Sequence, residues 1–382
     1  MKKKGLFLFA DYFDSTTTII RVLKASKDIF GEINFLYWAR SGQKRNPPDE
    51  ELYKGLQFDA FTETASPRSF SALLLFVKFQ WWLFKQLLQK KSNFIVAFTF
   101  YTIFPALIYK YFINWKCKVI YDPRDYAADS YRINKFINFS IRLIDNVFIM
   151  ASNFVIFPDR QYFIYYGLFK LKSNKFLILP NSTEDSIEQV KQNDIYLKYN
   201  LPKDKFIIPV IGYFSETRGE KILFDLIKKN DPRLLFVFAG DIRDERYLNF
   251  FKQHDNIIYL KKIPYIDALS IMKESLLVPQ LYDPELRNNV YALPTKYYDC
   301  LMVGTPVVVS LGQIDVAREI IENSFGWAIN YYDVEGLYHI INDYINNKQT
   351  INKEELRKFF LENYDYKLYK TKLREIYRKM LN

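Results

Sequence analysis

Two cysteines and two histidines are all that this chain of 382 residues holds of either type, and each shortage closes off a class of chemistry. Cys117 and Cys300 sit in segments that read as strand and helix, with no spacing suited to a disulfide framework or a thiolate metal site, which fits a reducing compartment. His254 and His339 fall in surface-type helical segments, so the usual proton shuttle near neutral pH is missing and no Ser/His/Asp or Cys/His arrangement can be assembled. No Asp-x-Asp occurs and no cluster has metal-ligand spacing, so neither a built-in metal nor another cofactor is expected. Long hydrophobic runs are missing too. Residues 94–109 make a run of sixteen without charge, short of the roughly 20 that a bilayer crossing needs, and Pro105 interrupts it. The opening MKKKGLFLFADYFD looks like a signal peptide only as far as Ala10, where Asp11 ends the apolar run; a first β-strand and a cytoplasmic location are the expectation. No repeat of fixed period is present, which excludes a solenoid.

What remains is a chain with 49% hydrophobic residues, enough for real cores in two domains of ordinary size. Net charge is +11 and aromatics reach 18%, so an anionic partner is implied: nucleic acid, acidic lipid or a phosphorylated small molecule. Lysines and arginines are spread along the whole chain and form no arm, so a nucleic-acid-binding protein rests on charge alone.

Strands and helices alternate, which argues parallel sheets with helices on both faces. In the first half the pattern predicts strands over 5–10, 33–38, 94–100, 117–122, 154–157 and 175–179, with helices over 15–29, 68–90, 104–114, 131–151 and 159–167. The polar stretch 181–204 has sparse apolar positions and reads as an interdomain linker. A second series follows, with strands over 206–212, 233–239, 256–260, 276–279 and 306–309 and helices over 219–228, 244–253, 265–274, 294–302 and 352–382. The domains expected are 1–180, 205–355 and a C-terminal helix over 356–382. The helix at 70–88 is apolar at 70, 73, 74, 77, 81, 84 and 88 but also off that stripe, and Trp81-Trp82 lie beside Lys78 and Lys85; deep burial and contact with an anionic membrane surface both fit.

Residues 288–310, NNVYALPTKYYDCLMVGTPVVVS, join a Pro-broken loop, a short helix, a Gly-Thr-Pro turn and a strand of β-branched residues. Pro294 starts a helix whose first-turn amides can seat a phosphate, and Asp299 lies about one turn further on, able to accept hydrogen bonds from hydroxyls. Ahead of it, Gly212-Tyr213-Phe214-Ser215-Glu216-Thr217-Arg218-Gly219 links a strand to a helix, with glycines for close approach and Arg218 as a bidentate phosphate clamp; a solvated arginine on a turn reads equally well. Gly240 ends a hydrophobic strand and Ile263-Pro264-Tyr265 opens a helix, both also compatible with ordinary turns. In the first half, Asp122-Pro123-Arg124-Asp125 leaves a strand at its carboxyl end: Asp125 can bind or deprotonate a hydroxyl and Arg124 clamp a phosphate, or the turn can cap a helix and pair internally.

The run Pro294-Thr295-Lys296-Tyr297-Tyr298-Asp299 before Gly304-Thr305-Pro306 resembles the donor-site signature of family 4 glycosyltransferases of the GT-B fold, in its Pro-x-Lys-x-x-acidic variant. The more familiar form has two glutamates eight positions apart; here Asp299 stands for the second and Tyr291 occupies the place of the first, leaving Asn288, Asn289 and Glu285 as candidates to hold sugar hydroxyls. The resemblance implies an α/β fold of two facing Rossmann-like domains, with the C-terminal helix crossing back to the first. It implies catalytic roles for Asp125, Arg124, Arg218 and Lys296, and donor contacts from Gly212, Tyr213, Arg218, Gly240, Ile263, Tyr265, Asn289, Lys296, Asp299 and Thr305. The substrate would be a nucleotide-diphosphate sugar, passed with retention to a lipid-linked or polysaccharide acceptor in bacterial cell-surface glycan assembly, lipopolysaccharide or capsule. Arginine and helix amides would neutralise the leaving diphosphate in place of a metal. A non-catalytic partner subunit and a sugar-nucleotide epimerase of the same fold are the alternatives.

Overall fold

Apolar runs bounded by turn residues become the strands of parallel sheets in the computed structural model, which describes residues 4–12, 17–40, 42–44, 53–64, 70–124, 126–129, 134–168, 171–242, 244–291 and 293–381. The chain divides into two compact units, residues 1–180 with 367–382, and residues 181–366.

Seven strands make the sheet of the first unit: β1 Lys4–Phe9, β2 Glu32–Trp38, β3 Leu56–Phe61, β4 Phe94–Phe98, β5 Lys118–Asp122, β6 Phe154–Phe157 and β7 Phe176–Ile178. Their order is β3-β2-β1-β4-β5-β6-β7 and every pairing is parallel. The described helices between them are α1 Thr17–Ser26, α2 Phe70–Lys90, α3 Phe100–Ile108, α4 Lys135–Ala151 and α5 Gln161–Tyr166. Strand β3, LQFDAF, escapes the sequence pattern because it is an edge strand with half-polar alternation. The helix expected from 104 starts at Phe100 and widens after Ile108 into a π-helical turn, Tyr109–Ile113. Pro105 sits inside α3 and cannot donate to the Tyr101 carbonyl; the Gln80 amide of α2 donates there instead at 2.8 Å, which satisfies the acceptor and ties the two helices together.

The second unit holds β8 Phe206–Ile211, β9 Leu234–Ala239, β10 Ile257–Tyr259, β11 Val278–Gln280, β12 Val307–Ser310 and β13 Gly326–Ile329, in two parallel ribbons ordered β10-β9-β8 and β11-β12-β13. Helices α6 Ile187–Lys191, α7 Ile195–Tyr199, α8 Glu220–Lys228, α9 Glu245–Lys252, α10 Tyr265–Lys273, α11 Arg287–Tyr291, α12 Thr295–Val303, α13 Ile314–Glu322, α14 Val334–Ile345 and α15 Lys353–Asn363 surround them. The amide of Leu276 donates to the Ile207 carbonyl at 3.0 Å and that of Asp283 to the Thr217 carbonyl at 3.1 Å, so β8 and β11 run side by side in the same sense. Chain order reverses at that junction. Strand alternation then feeds two cores: Val307 and Val309 pack with the α10, α12 and α15 layer, while Val308 packs with the α8, α9 and α14 layer.

Two expectations are corrected here. Residues 181–204 are not a linker: Ile187, Val190, Ile195 and Leu201 are buried in the second unit's core, a few well-spaced apolar side chains sufficing for the short helices α6 and α7. The long helix expected over 352–382 is broken at Tyr364 and Asp365, whose amides both donate to the Phe360 carbonyl. Its second half is α16, Tyr366–Leu381, which groups with the first unit: Arg374 Nε donates to the Ala25 carbonyl at 3.3 Å, and the Tyr377 ring packs against Phe30 and Phe94.

Candidate functional site

In open α/β sheets the crevice beyond the strands' carboxyl ends, where chain order reverses, is where ligands bind. Between β8 and β11 that place is built from backbone held unusually close. Gly212, with φ of 92°, follows β8; Gly240, with φ of 158°, follows β9. A Cβ on Gly240 would stand 2.3 Å from the Gly212 carbonyl oxygen, so only glycine lets the two loops meet. The next turn is clamped from outside. Gly219, at φ of 82°, donates its amide to the Tyr331 hydroxyl at 3.0 Å, and that hydroxyl donates to the Glu216 carbonyl at 2.7 Å. Burial pushes the Tyr331 phenol up to about 12, which keeps the proton that this second bond uses.

The clamp presents Arg218. Its guanidinium lies 3.8 Å from the centroid of the Tyr282 ring, just beyond β11, and half-buried in that stack it has its edge free for hydrogen bonding. Among the described residues no carboxylate lies within ion-pair distance of it, whereas Arg233, Arg246, Arg318 and Arg357 of the same unit each pair with one. Lys296 is the second such cation: its ammonium donates to the Ile211 carbonyl at 3.0 Å, beside Gly212, and no described carboxylate pairs with it. Cations held partly out of water without counter-charges are poised for an anion.

Helix α12 carries the other half. Pro294 occupies the position before its first turn, with ψ of 144°, and among the described residues no side chain is seen to cap that turn. Asp299 is one turn beyond Lys296 and buried at 3% exposure; the Tyr265 hydroxyl donates to it at 2.6 Å and also lies 3.1 Å from the Thr183 hydroxyl. The αL residue Gly304 ends the helix, its φ of 73° and the approach of the Lys353 carbonyl leaving no room for a side chain.

Other expected residues scatter. Asn289 is buried and its amide donates to the Asp283 carbonyl at 2.9 Å, so it shapes the loop after β11. Tyr213 is 77% exposed beside Gly212, and Ile263 is half-buried against the cluster of Ile207, Leu235 and Ile271. Thr305 does not belong to the site. It lies at the amino end of β12, fully buried, with its hydroxyl donating to the Met272 carbonyl at 2.8 Å. In the first unit Arg124, at φ of 64°, turns back and donates to Asp122 at 2.5 Å; its charge is met internally and a phosphate-clamping role is not supported by that geometry. Asp125 lies outside the described residues. Sequence reasoning missed Tyr282 and Tyr331, which no motif marks. Among the described residues no three His, Cys, Asp or Glu side chains converge as for a metal ion.

No family model and no curated protein matches the chain. Solved structures do match it over its whole length. Sucrose-phosphate synthase from Thermosynechococcus elongatus is 13% identical, with 99% of each chain covered and a TM-score of 0.74. HepE of Anabaena, solved in complex with UDP, is 16% identical, with 99% of each covered and a TM-score of 0.68. The lipopolysaccharide outer core galactosyltransferase WaaB is 10% identical, with 99% of each covered and a TM-score of 0.63. At such identities the likeness is one of fold: the chain has the α/β architecture of parallel sheets in two domains that GT-B glycosyltransferases share.

Proposed function

We propose that the protein is a glycosyltransferase that moves a sugar from a nucleoside-diphosphate donor to an acceptor hydroxyl. The observation that carries this reading is the pair Arg218 and Lys296, two half-buried cations with no carboxylate partner among the described residues, held where β8 and β11 meet. Their charges, with the uncapped first turn of α12, suit two linked phosphoryl groups and would stabilise the diphosphate as it leaves. Asp299 would anchor a ribose or sugar hydroxyl, with Tyr265 fixing its carboxylate. No protein nucleophile is needed if the leaving diphosphate oxygen takes the acceptor proton, a route that retains anomeric configuration and agrees with the scarcity of histidine. A family 4 assignment, a hexose as the transferred sugar and a lipid-linked or polysaccharide acceptor in cell-surface glycan assembly, met at an anionic membrane face, complete the proposal.

UDP-sugars are the donors to try first, since UDP is the ligand in the HepE structure. Nucleoside diphosphate released with and without a lipid or glycan acceptor is quantified chromatographically, and the product linkage is read by NMR. Acceptor-dependent release with an unchanged anomeric configuration is expected. Inversion of a sugar hydroxyl without release would instead establish the epimerase alternative.

A further inference from the structure

The described helices α2, α3 and α4 form one layer on the first unit's sheet. Phe76 of α2 meets Tyr101 of α3 with centroids 6.0 Å apart, and Phe100 of α3 meets Phe148 of α4 at 5.5 Å. The inward side of the layer is filled in the ordinary way, by Leu75, Phe79, Leu83 and Leu87 of α2 and by Asp145 and Ile149 of α4. Its outward side is apolar as well. On α2 the stripe Leu73, Val77 and Trp81 is 57% to 59% exposed; on α4 Phe136, Phe139, Leu143 and Val147, spaced at helical intervals, are 56% to 77% exposed. The π-helical turn adds Phe112 at 77% and the segment after it Trp115 at 79%. A soluble monomer seldom shows contiguous apolar surface beyond a few hundred Å² unless something binds there.

Charge says what covers it. Between Glu63 and Asp122 the sequence has no acidic residue and eight basic ones, of which Lys78 and Lys90 pair with Glu63 and Asp59, and the sole acid of α4 is the buried Asp145. Lys85 lies 5.5 Å from the Trp81 ring centroid, an ammonium beside an indole. Lys116 and Lys118, next to Trp115, line a cavity of about 700 Å³ together with Lys379. Aromatic side chains flanked by lysines suit the boundary between acyl chains and anionic headgroups, whereas a second copy would bring lysine against lysine. No described helix is long and apolar enough to cross a membrane, so a bilayer would be met by this face lying on it and not by a span.

We propose that the outer face of α2, α3 and α4, with Phe112 and Trp115, docks the protein on a bilayer containing anionic phospholipid. The inference deepens the proposed function by placing the encounter with a lipid-linked acceptor, and it rests on that reading only for its purpose. The test uses the full chain at low salt without nucleotide, co-sedimented with vesicles of phosphatidylcholine alone and of phosphatidylcholine mixed with phosphatidylglycerol. Binding to the mixed vesicles only, weakened by salt and reduced about tenfold or more in the Phe112→Ser/Trp115→Ser and Phe139→Ser/Leu143→Ser variants, is the expected result. UDP affinity, measured apart from vesicles, stays unchanged in both variants and shows that they fold. Failure to sediment with the mixed vesicles, or undiminished binding by both variants, overturns the proposal, as does a self-associated species in ultracentrifugation that the Phe139→Ser/Leu143→Ser change dissolves without altering vesicle binding. Loss of UDP binding by the parent protein would count against the transferase reading and leave the vesicle result standing.

Discussion

Arg218 owes its orientation to Tyr282 and its position to Tyr331, side chains 64 and 113 residues away in sequence. That is why the arginine is legible in the sequence while its supports are not: a Gly-x5-Arg-Gly turn is a local pattern, but an aromatic shelf beneath it depends on which strands become neighbours. Asp299 is legible for the same local reason, lying one turn into a Pro-started helix, and Thr305 misleads because a turn residue of a matching motif can sit at the far end of its strand. Gly240 gives the sharpest test at this level. Gly240→Ala must relieve a 2.3 Å approach to the Gly212 carbonyl, at a cost of roughly 1–3 kcal/mol in strain. Thermal unfolding should show a lowered melting temperature, and calorimetry a loss of nucleotide binding, because the loop that yields is the one carrying Gly212. An alanine variant with both properties of the parent would show that the close approach is not required.

Many elements with strong periodicity were readable: the strands of the three sheets other than β3 and β13, and helices such as α8, α9, α10 and α12, lie close to their expected positions. Helices α13 and α14, although amphipathic, were not among the expected elements; the other omissions fall where tertiary contacts supply what the local pattern lacks. Strand β13 is four residues opening on Gly326, whose Cα comes so near Val307 that no side chain fits, and α6 and α7 each bury only one or two apolar residues. Helix α4 shows a polar counterpart. Its Asp145 is fully buried and accepts from the Tyr121 and Tyr166 hydroxyls at 2.6 Å each; burial raises its pKa from 3.8 to about 6, the two hydrogen bonds opposing that rise. Because the folded protein holds this proton more tightly than the unfolded chain does, the group's contribution is fully present below pH of about 4 and is lost as pH rises through about 6. Denaturant unfolding of the parent and of Asp145→Asn should therefore differ by an amount that moves against the parent by up to roughly 3 kcal/mol across that interval. A difference that stays flat with pH would contradict the assignment.

Across the whole molecule, the two proposals assign the net charge of +11 two uses. In the second unit most described arginines are neutralised by carboxylates, whereas no described carboxylate pairs with Arg218 or Lys296; in the first unit basic residues flank an apolar helical layer whose own acid, Asp145, is buried, with Glu63 and Asp59 paired with Lys78 and Lys90. Composition alone announces an anionic partner, but not that the two proposed partners, a compact anion and a lipid surface, would draw on different units of the chain. The fold was legible from alternation and from the motif around Asp299, whereas the exposed apolar layer was half legible, since apolar residues all round a helix fit burial and lipid equally until exposure is known.

Calorimetric titration of UDP and of UMP into the parent, Arg218→Ala and Lys296→Ala proteins tests most directly whether the two cations grip a diphosphate. The parent should bind UDP more tightly than UMP, and each variant should lose about 1.5–3 kcal/mol for UDP, roughly ten- to a hundredfold, with much less change for UMP. A gap between UDP and UMP that survives undiminished in both variants would contradict the account.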